Sequence, residues 1–144
     1  IISLSFLIIF LFFIFKKFEY VFLCISSLMC AFILTIFCMI ILKLNLNFAN
    51  MIALPLLFSL GISYPIYLLK RFEEFGSLER LFSSNTPTAI MFSGLTTIFS
   101  FSTLYFSSHN GTSSMGLLLF ICLSNTLVTS LIILPLFIKI FRIK

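Results

Sequence analysis

Charged residues divide this chain into long apolar runs. Ile1–Phe15 carries no charge, with Ser3 and Ser5 its only polar residues. Lys16, Lys17 and Glu19 follow, and Tyr20–Leu42 then runs 23 residues without a charge. A short polar turn from Lys43 to Asn47 leads into Phe48–Leu69, an uncharged stretch of 22. Lys70 to Pro87 is the one long polar segment. Thr88–Ser107 is again uncharged, Ser108-His109-Asn110-Gly111 reads as a turn, and Thr112–Ile138 is uncharged up to Lys139, Arg142 and Lys144. About 20 apolar residues, rising 1.5 Å each, cross the ~30 Å hydrocarbon core of a bilayer. Runs of that length without alternation do not build a barrel. The pattern therefore predicts an all-α, polytopic membrane helix bundle, a single domain over 1–144. Its five transmembrane helices fall at about 1–15, 20–42, 48–69, 88–107 and 112–138. The first run is short and is expected to begin before Ile1, as in a piece of a longer protein. It lacks the basic start and small-residue cleavage site of a signal peptide.

Inside the polar segment, Leu78, Leu81 and Phe82 recur at i, i+3 and i+4, with Glu79 and Arg80 turned away. That predicts a short amphipathic cytoplasmic helix at about 77–84, lying on the headgroups. Thr86 followed by Pro87 reads as an N-cap and the first helical residue of the next span.

The spans themselves hold hydroxyls rather than charges. No Asp, Glu, Lys, Arg or His falls inside any run, so the usual intramembrane marks of a proton or ion path are missing from these helices. In the third span Ser59, Ser63 and Tyr67 share one face, with Tyr64 beside them. Pro65 cannot donate to the Gly61 carbonyl, so a kink is expected at Gly61–Pro65. It reads either as a bend held by neighbouring helices or as a hinge lining a polar path. In the fourth span Ser93, Thr96, Thr97, Ser100, Thr103 and Ser107 form a stripe beside Gly94. Such a stripe serves close helix packing or a solvated contact. In the fifth, Asn125 and Thr129 share a face, and Asn125 should point into the bundle. Ser63, Thr97 and Asn125 are expected to need a facing surface outside this chain.

Composition sharpens the class. The chain is 61% hydrophobic and 9% charged, which excludes a soluble globule, a disordered tail and a coiled coil. The net charge of +5 lacks base-reading residues among its cations, so no nucleic acid partner is expected. Lys16, Lys17, Lys70, Arg71, Arg80, Lys139, Arg142 and Lys144 fall on one side of a five-span topology, and only Lys43 on the other. The positive-inside rule then places the C-terminus in the cytoplasm. Cys24, Cys30, Cys38 and Cys122 lie in apolar runs and read as small hydrophobes, not as disulfide or metal residues. No cofactor is expected. His109 reads as a solvated turn residue, and Asn110-Gly111-Thr112 is a weak glycosylation sequon. No nucleophile–base pair or metal constellation points to an enzyme.

The run from Asn47 to Leu57 (Asn47-Phe48-Ala49-Asn50-Met51-Ile52-Ala53-Leu54-Pro55-Leu56-Leu57), with Leu60-Gly61-Ile62-Ser63-Tyr64 after it, resembles the fourth helix of one repeat in resistance-nodulation-division (RND) transporters of the MMPL type. Ser93-Gly94-Leu95-Thr96-Thr97 resembles the start of that repeat's next helix. The stretch Ser107–Gly116 is most similar to the C-terminal membrane repeat of the hopanoid-associated RND transporters. The resemblance covers roughly Tyr20 to Lys144. It implies the last five helices of a second repeat, in a multi-pass protein of the bacterial inner membrane that exports lipids or other hydrophobic molecules on the proton gradient. The partners it implies are the lipid bilayer, the N-terminal repeat and periplasmic porter domains of the same transporter, and a hydrophobic lipid substrate. Many members carry Asp before the Tyr of a Gly-x-Asp-Tyr string; this chain has Ser63 there and keeps Tyr64. The alternatives are a non-transporting five-helix module, sterol-sensing-like or a protein-export accessory, and an inactive fragment.

Overall fold

The computed structural model describes residues 11–15, 17–44 and 47–141. The described chain is a bundle of α1 (Phe18–Ile41), α2 (Phe48–Gly61), α3 (Ser63–Phe75), α4 (Leu78–Ser83), α5 (Thr86–Ser102), a 3-10 turn (Thr103–Phe106), α6 (Asn110–Val128), a π-helical turn (Thr129–Ile133) and α7 (Leu134–Ile140). Among the described residues there is no strand. Four stretches are long and apolar enough to cross a membrane: Phe18–Ile41, Asn50–Phe75, Thr86–Phe106 and Asn110–Ile140. Residues 11–15 are helical; the rest of the expected first span, with Lys16, Arg142 and Lys144, lies outside the described residues.

Side-chain contacts give the direction of each crossing. Asn47 meets Ser114 near one end, and Gly61 meets Thr126 farther in, so the third and fifth spans run parallel. Thr35 meets Asn125 while Phe22 meets Phe141, so α1 runs opposite to α6 and α7. Gly94 faces Leu127 and Gly116 faces Tyr105, so α5 is antiparallel to α6. Consecutive spans thus alternate, and Lys17, Lys70, Arg71, Arg80 and Lys139 gather at one end, with Lys43 at the other. Aromatic rings brace the charged end. Lys70 Nζ lies 5.4 Å from the Phe15 ring centre, and Tyr20 packs edge-on against Phe72 at 6.5 Å.

The outer surface tells which solvent surrounds the bundle. Phe22, Ile33, Ile36, Phe37 and Ile40 all point outward from α1. In water such a patch would drive aggregation; in hydrocarbon it costs nothing. The inner face of α1, including Tyr20, Leu23, Cys24, Leu28 and Ala31, joins Leu68, Leu69, Phe72, Leu123, Leu127 and Leu134 in or beside the main core.

The structure corrects several boundaries. Helix α3 continues past Leu69, the expected end of the span, to Phe75, into the segment read as polar. Buried Phe72 anchors the extra turns, and Lys70–Glu73 (2.8 Å) and Arg71–Glu74 (2.7 Å) pair along their outer surface. Gly76, at φ 67°, then ends the helix in the left-handed conformation that glycine adopts without strain. The N-cap of α5 is Asn85, one residue before the expected Thr86, and Pro87 is the second helical residue, where no N–H is required. Helix α4 starts after Ser77, whose hydroxyl accepts from the Arg80 amide at 3.4 Å. It does not simply lie on headgroups: Leu81 is fully buried in the core while Phe82 remains half exposed. Finally, the fifth span is not one unbroken α-helix. Pro135 offers no N–H to the Leu131 carbonyl and its ring crowds that carbonyl, and residues 129–133 widen into a π turn.

Candidate functional site

The break between α2 and α3 sits at Ile62, inside the expected Gly61–Pro65 segment. Pro65 removes the donor for Gly61, while backbone bonds on either side continue: Ile62 N to Phe58 O at 3.2 Å and Ile66 N to Ile62 O at 3.3 Å. Gly61 is buried, and a Cβ there would stand 2.9 Å from Thr126 Cγ2. Ser63 donates to the Leu60 carbonyl at 2.6 Å, so its hydroxyl is spent across the break, on the last turn of α2. Tyr64 turns inward, 5% exposed, and its hydroxyl meets the Thr97 side chain. Ser59 and Tyr67 point outward.

Beyond the break an open groove of about 560 Å³ lies between α3 and α5. Of the residues singled out in the sequence it gathers Ser63, Tyr64, Tyr67 and Ser93; it adds Arg71 and Thr86 nearer the charged end. The α3 side carries Ser63, Tyr64, Tyr67, Arg71 and Phe75, and the α5 side Thr86, Ile90 and Ser93, so each wall mixes polar and apolar groups. Such a lining can hydrogen-bond a partner but holds no group that takes and releases protons near neutral pH.

The hydroxyl stripe of α5 is real but faces away from this chain. The buried residues of α5 are Ile90, Gly94 and Ile98. Ser93, Thr96, Ser100 and Thr103 are exposed, Thr97 is half-buried, and Ser107 lies past the 3-10 turn. Thr96 and Thr97 both donate to the Ser93 carbonyl (2.8 and 2.9 Å), Ser100 donates to Thr96 O, and Thr103 to Ser100 O. Bonded back to their own helix, these hydroxyls present small, internally satisfied bumps to whatever packs there.

Asn125 and Thr129 behave differently, and here an expectation is corrected. The Asn125 amide donates to Thr35 Oγ1 at 3.2 Å, so it is satisfied by α1 and needs no surface outside the chain. Thr35 in turn donates to Ala31 O at 2.8 Å. Thr129 is fully buried and donates to Thr126 O. Replacing Asn125 with alanine should therefore loosen the α1–α6 contact by about 0.6 kcal/mol, the mean for an interhelical hydrogen bond in a membrane. Thermal unfolding in detergent of Asn125→Ala beside Thr35→Val would check it. The two losses should fail to add, because one bond is removed twice.

Sequence reasoning passed over a polar clamp at the opposite end. Asn47 Nδ2 donates to Ser114 Oγ (3.1 Å), which lies 3.4 Å from Oδ1 of buried Asn50. The signal was available: two asparagines at i and i+3 open α2, and Ser113-Ser114 open α6 at the same end. Asn110 is the first residue of α6, so the sequon opens a helix rather than sitting in a turn. Among the described residues no three His, Cys, Asp or Glu groups cluster to hold a metal. Ser27 is buried, and its hydroxyl has no hydrogen-bond partner among the described residues.

No family model matches the sequence, and no solved structure matches it. Two curated proteins do. The chain is 38% identical over 112 residues to the hopanoid transporter HpnN of Burkholderia multivorans, a match covering 78% of this chain and 12% of that protein. It is 42% identical over 96 residues to the hopanoid transporter HpnN of Rhodopseudomonas palustris, covering 67% of this chain and 11% of that protein. The chain therefore spans roughly a ninth of the length of the relatives it matches.

Proposed function

We propose, from the premise that this chain belongs to the RND-type hopanoid transporters as one of their membrane regions, that it is the membrane half-module of the second repeat in a proton-driven exporter. Its cargo in this reading is a hydrophobic, hopanoid-like lipid, and it works in the bacterial inner membrane with its C-terminus in the cytoplasm. Its partners are the first membrane repeat and periplasmic domains of the same transporter. The observation that carries the reading is the difference between the two outward faces. That of α1 is almost wholly Phe and Ile, suited to acyl chains; that of α5 sets the hydroxyls of Ser93, Thr96 and Ser100 among exposed Phe92, Leu95 and Phe99, a mixed face suited to another helix. Ser63 and Tyr64 line this contact in a supporting role. The described spans contain no carboxylate in their apolar stretches, so the proton carrier lies in the other half.

Photoreactive labels attached to cysteine test the face. In the longer transporter, Ser100→Cys should crosslink to protein and Ile36→Cys to lipid. Crosslinking of both to lipid alone would remove the inter-repeat contact. Vesicles holding only these 144 residues should show no proton-driven lipid flux. Orientation is checked separately: reporters fused after Lys144 and within Ser108–Gly111 should report opposite sides, and a common side for both would end the topology.

A further inference from the structure

Two helix irregularities that the sequence scatters 67 residues apart meet in the fold. One is the break at Ile62 between α2 and α3; the other is the π turn at Thr129–Ile133. Each precedes a proline, Pro65 or Pro135, that withholds a backbone donor. They adjoin in space: Gly61 presses on Thr126, and α3 packs on the π turn. We propose that this pair is a coupled pivot, in which α3 swings about Ile62 into the groove beside α5 while the π turn re-registers to let it move.

Three observations support the pivot. The half of the bundle on the Lys43 side is held fast. Asn47 and Asn50 are clamped to Ser114, Ser113 donates to Tyr105 O at 2.8 Å, and Gly116 sits against the Tyr105 backbone, so α2 and the start of α6 form a stator. The other half has room to move, because the 560 Å³ groove lies along α3 and α5 is unbroken at that depth. The π turn also carries its own relief. Thr129 and Ser130 both donate to the Thr126 carbonyl, at 3.1 and 2.7 Å. These hydroxyls keep that carbonyl paired while backbone bonds around it change partner, which hydrocarbon otherwise forbids. The 13 residues of α3 make a lever of about 20 Å, so a tilt of about 10° carries its charged end about 3 Å. The pivot is a property of the fold and does not rest on the identity of the cargo.

Pulsed electron–electron distance measurements on spin-labelled pairs test it. The sample is the full-length protein in nanodiscs, with native cysteines replaced by alanine. Glu74→Cys with Thr88→Cys reads the groove; Met51→Cys with Phe120→Cys reads the clamped half. The groove pair should show a distribution about 3 Å broader than the clamped pair. Pro135→Ala, which lies outside both labelled helices, should narrow the groove distribution to the width of the clamped pair and leave the clamped distance unchanged. Pro65→Ala should do the same from the other side of the pivot. A groove pair no broader than the clamped pair in the native sequence overturns the proposal. So does a groove distribution that stays broad in both proline variants.

Discussion

Gly116→Ala is expected to destabilise the bundle more than alanine at any other glycine described. The added Cβ would stand 2.5 Å from the Tyr105 amide nitrogen and 2.8 Å from the Leu104 carbonyl carbon. Both are backbone atoms, which no rotamer change can move aside. Overpacking ordinarily costs about 1–3 kcal/mol, and a collision with main chain belongs at the top of that range. Two other glycines calibrate the result. At Gly94 the Cβ would meet Leu127 Cδ1 at 2.6 Å, the far end of a flexible side chain, so Gly94→Ala should cost less. At Gly76 nothing lies within 4 Å, and the cost is the left-handed backbone alone, about 1–2 kcal/mol. Unfolding midpoints of the three variants in one detergent give the order directly. Gly116→Ala melting with the parent protein would show that α6 and the 3-10 turn are not in the close contact described.

Transport by a full-length exporter carrying this chain should collapse with Gly61→Leu and survive Ser63→Ala. Even a single Cβ at Gly61 would be 2.9 Å from Thr126 Cγ2, with Leu28 Cδ1 at 3.5 Å behind it. A leucine there must separate the third and fifth spans at their crossing, or fail to insert between them. Ser63, by contrast, spends its hydroxyl on Leu60 O, one turn back in its own chain. Losing one neutral hydrogen bond removes about 0.5–1.5 kcal/mol, which even if felt wholly in the rate leaves between about a tenth and two fifths of the activity. Proton-coupled lipid flux at matched protein levels is the measurement. If Ser63→Ala abolished flux with normal protein amounts, Ser63 would be a coupling residue and not a supporting one.

Both variants concern the third span, where sequence and structure agree most closely. A proline with a glycine four residues before it states a broken hydrogen bond directly, so the Ile62 break was visible from residues alone. The π turn was equally encoded by Pro135 but easy to overlook, because no glycine flags it and the apolar run continues through it. The stripe on α5 was legible as a stripe. Its direction was not: Gly94 and the hydroxyls lie on adjoining faces, and only packing against Leu127 shows which of the two is buried. Asn125 reads the same from sequence whether its partner is Thr35 or a residue of another repeat.

The apolar runs, punctuated by lysines and prolines, determined by themselves that this is a membrane-spanning helical bundle with a charged end and a broken third span. These are local consequences, since span length answers to bilayer thickness and a missing N–H acts within one turn. What only the tertiary structure decided is where each polar group is satisfied and which faces remain open. Asn125 closes on α1, Asn47 and Asn50 close on Ser114, Leu81 of the short helix plugs the core, and the α5 hydroxyls turn outward. Hydrogen bonds between helices join residues 64 to 90 positions apart. Inside a membrane, where nearly every residue is apolar, hydrophobic periodicity carries little contrast, so the choice among helix faces falls to close packing at glycines and to the few polar partners that find one another.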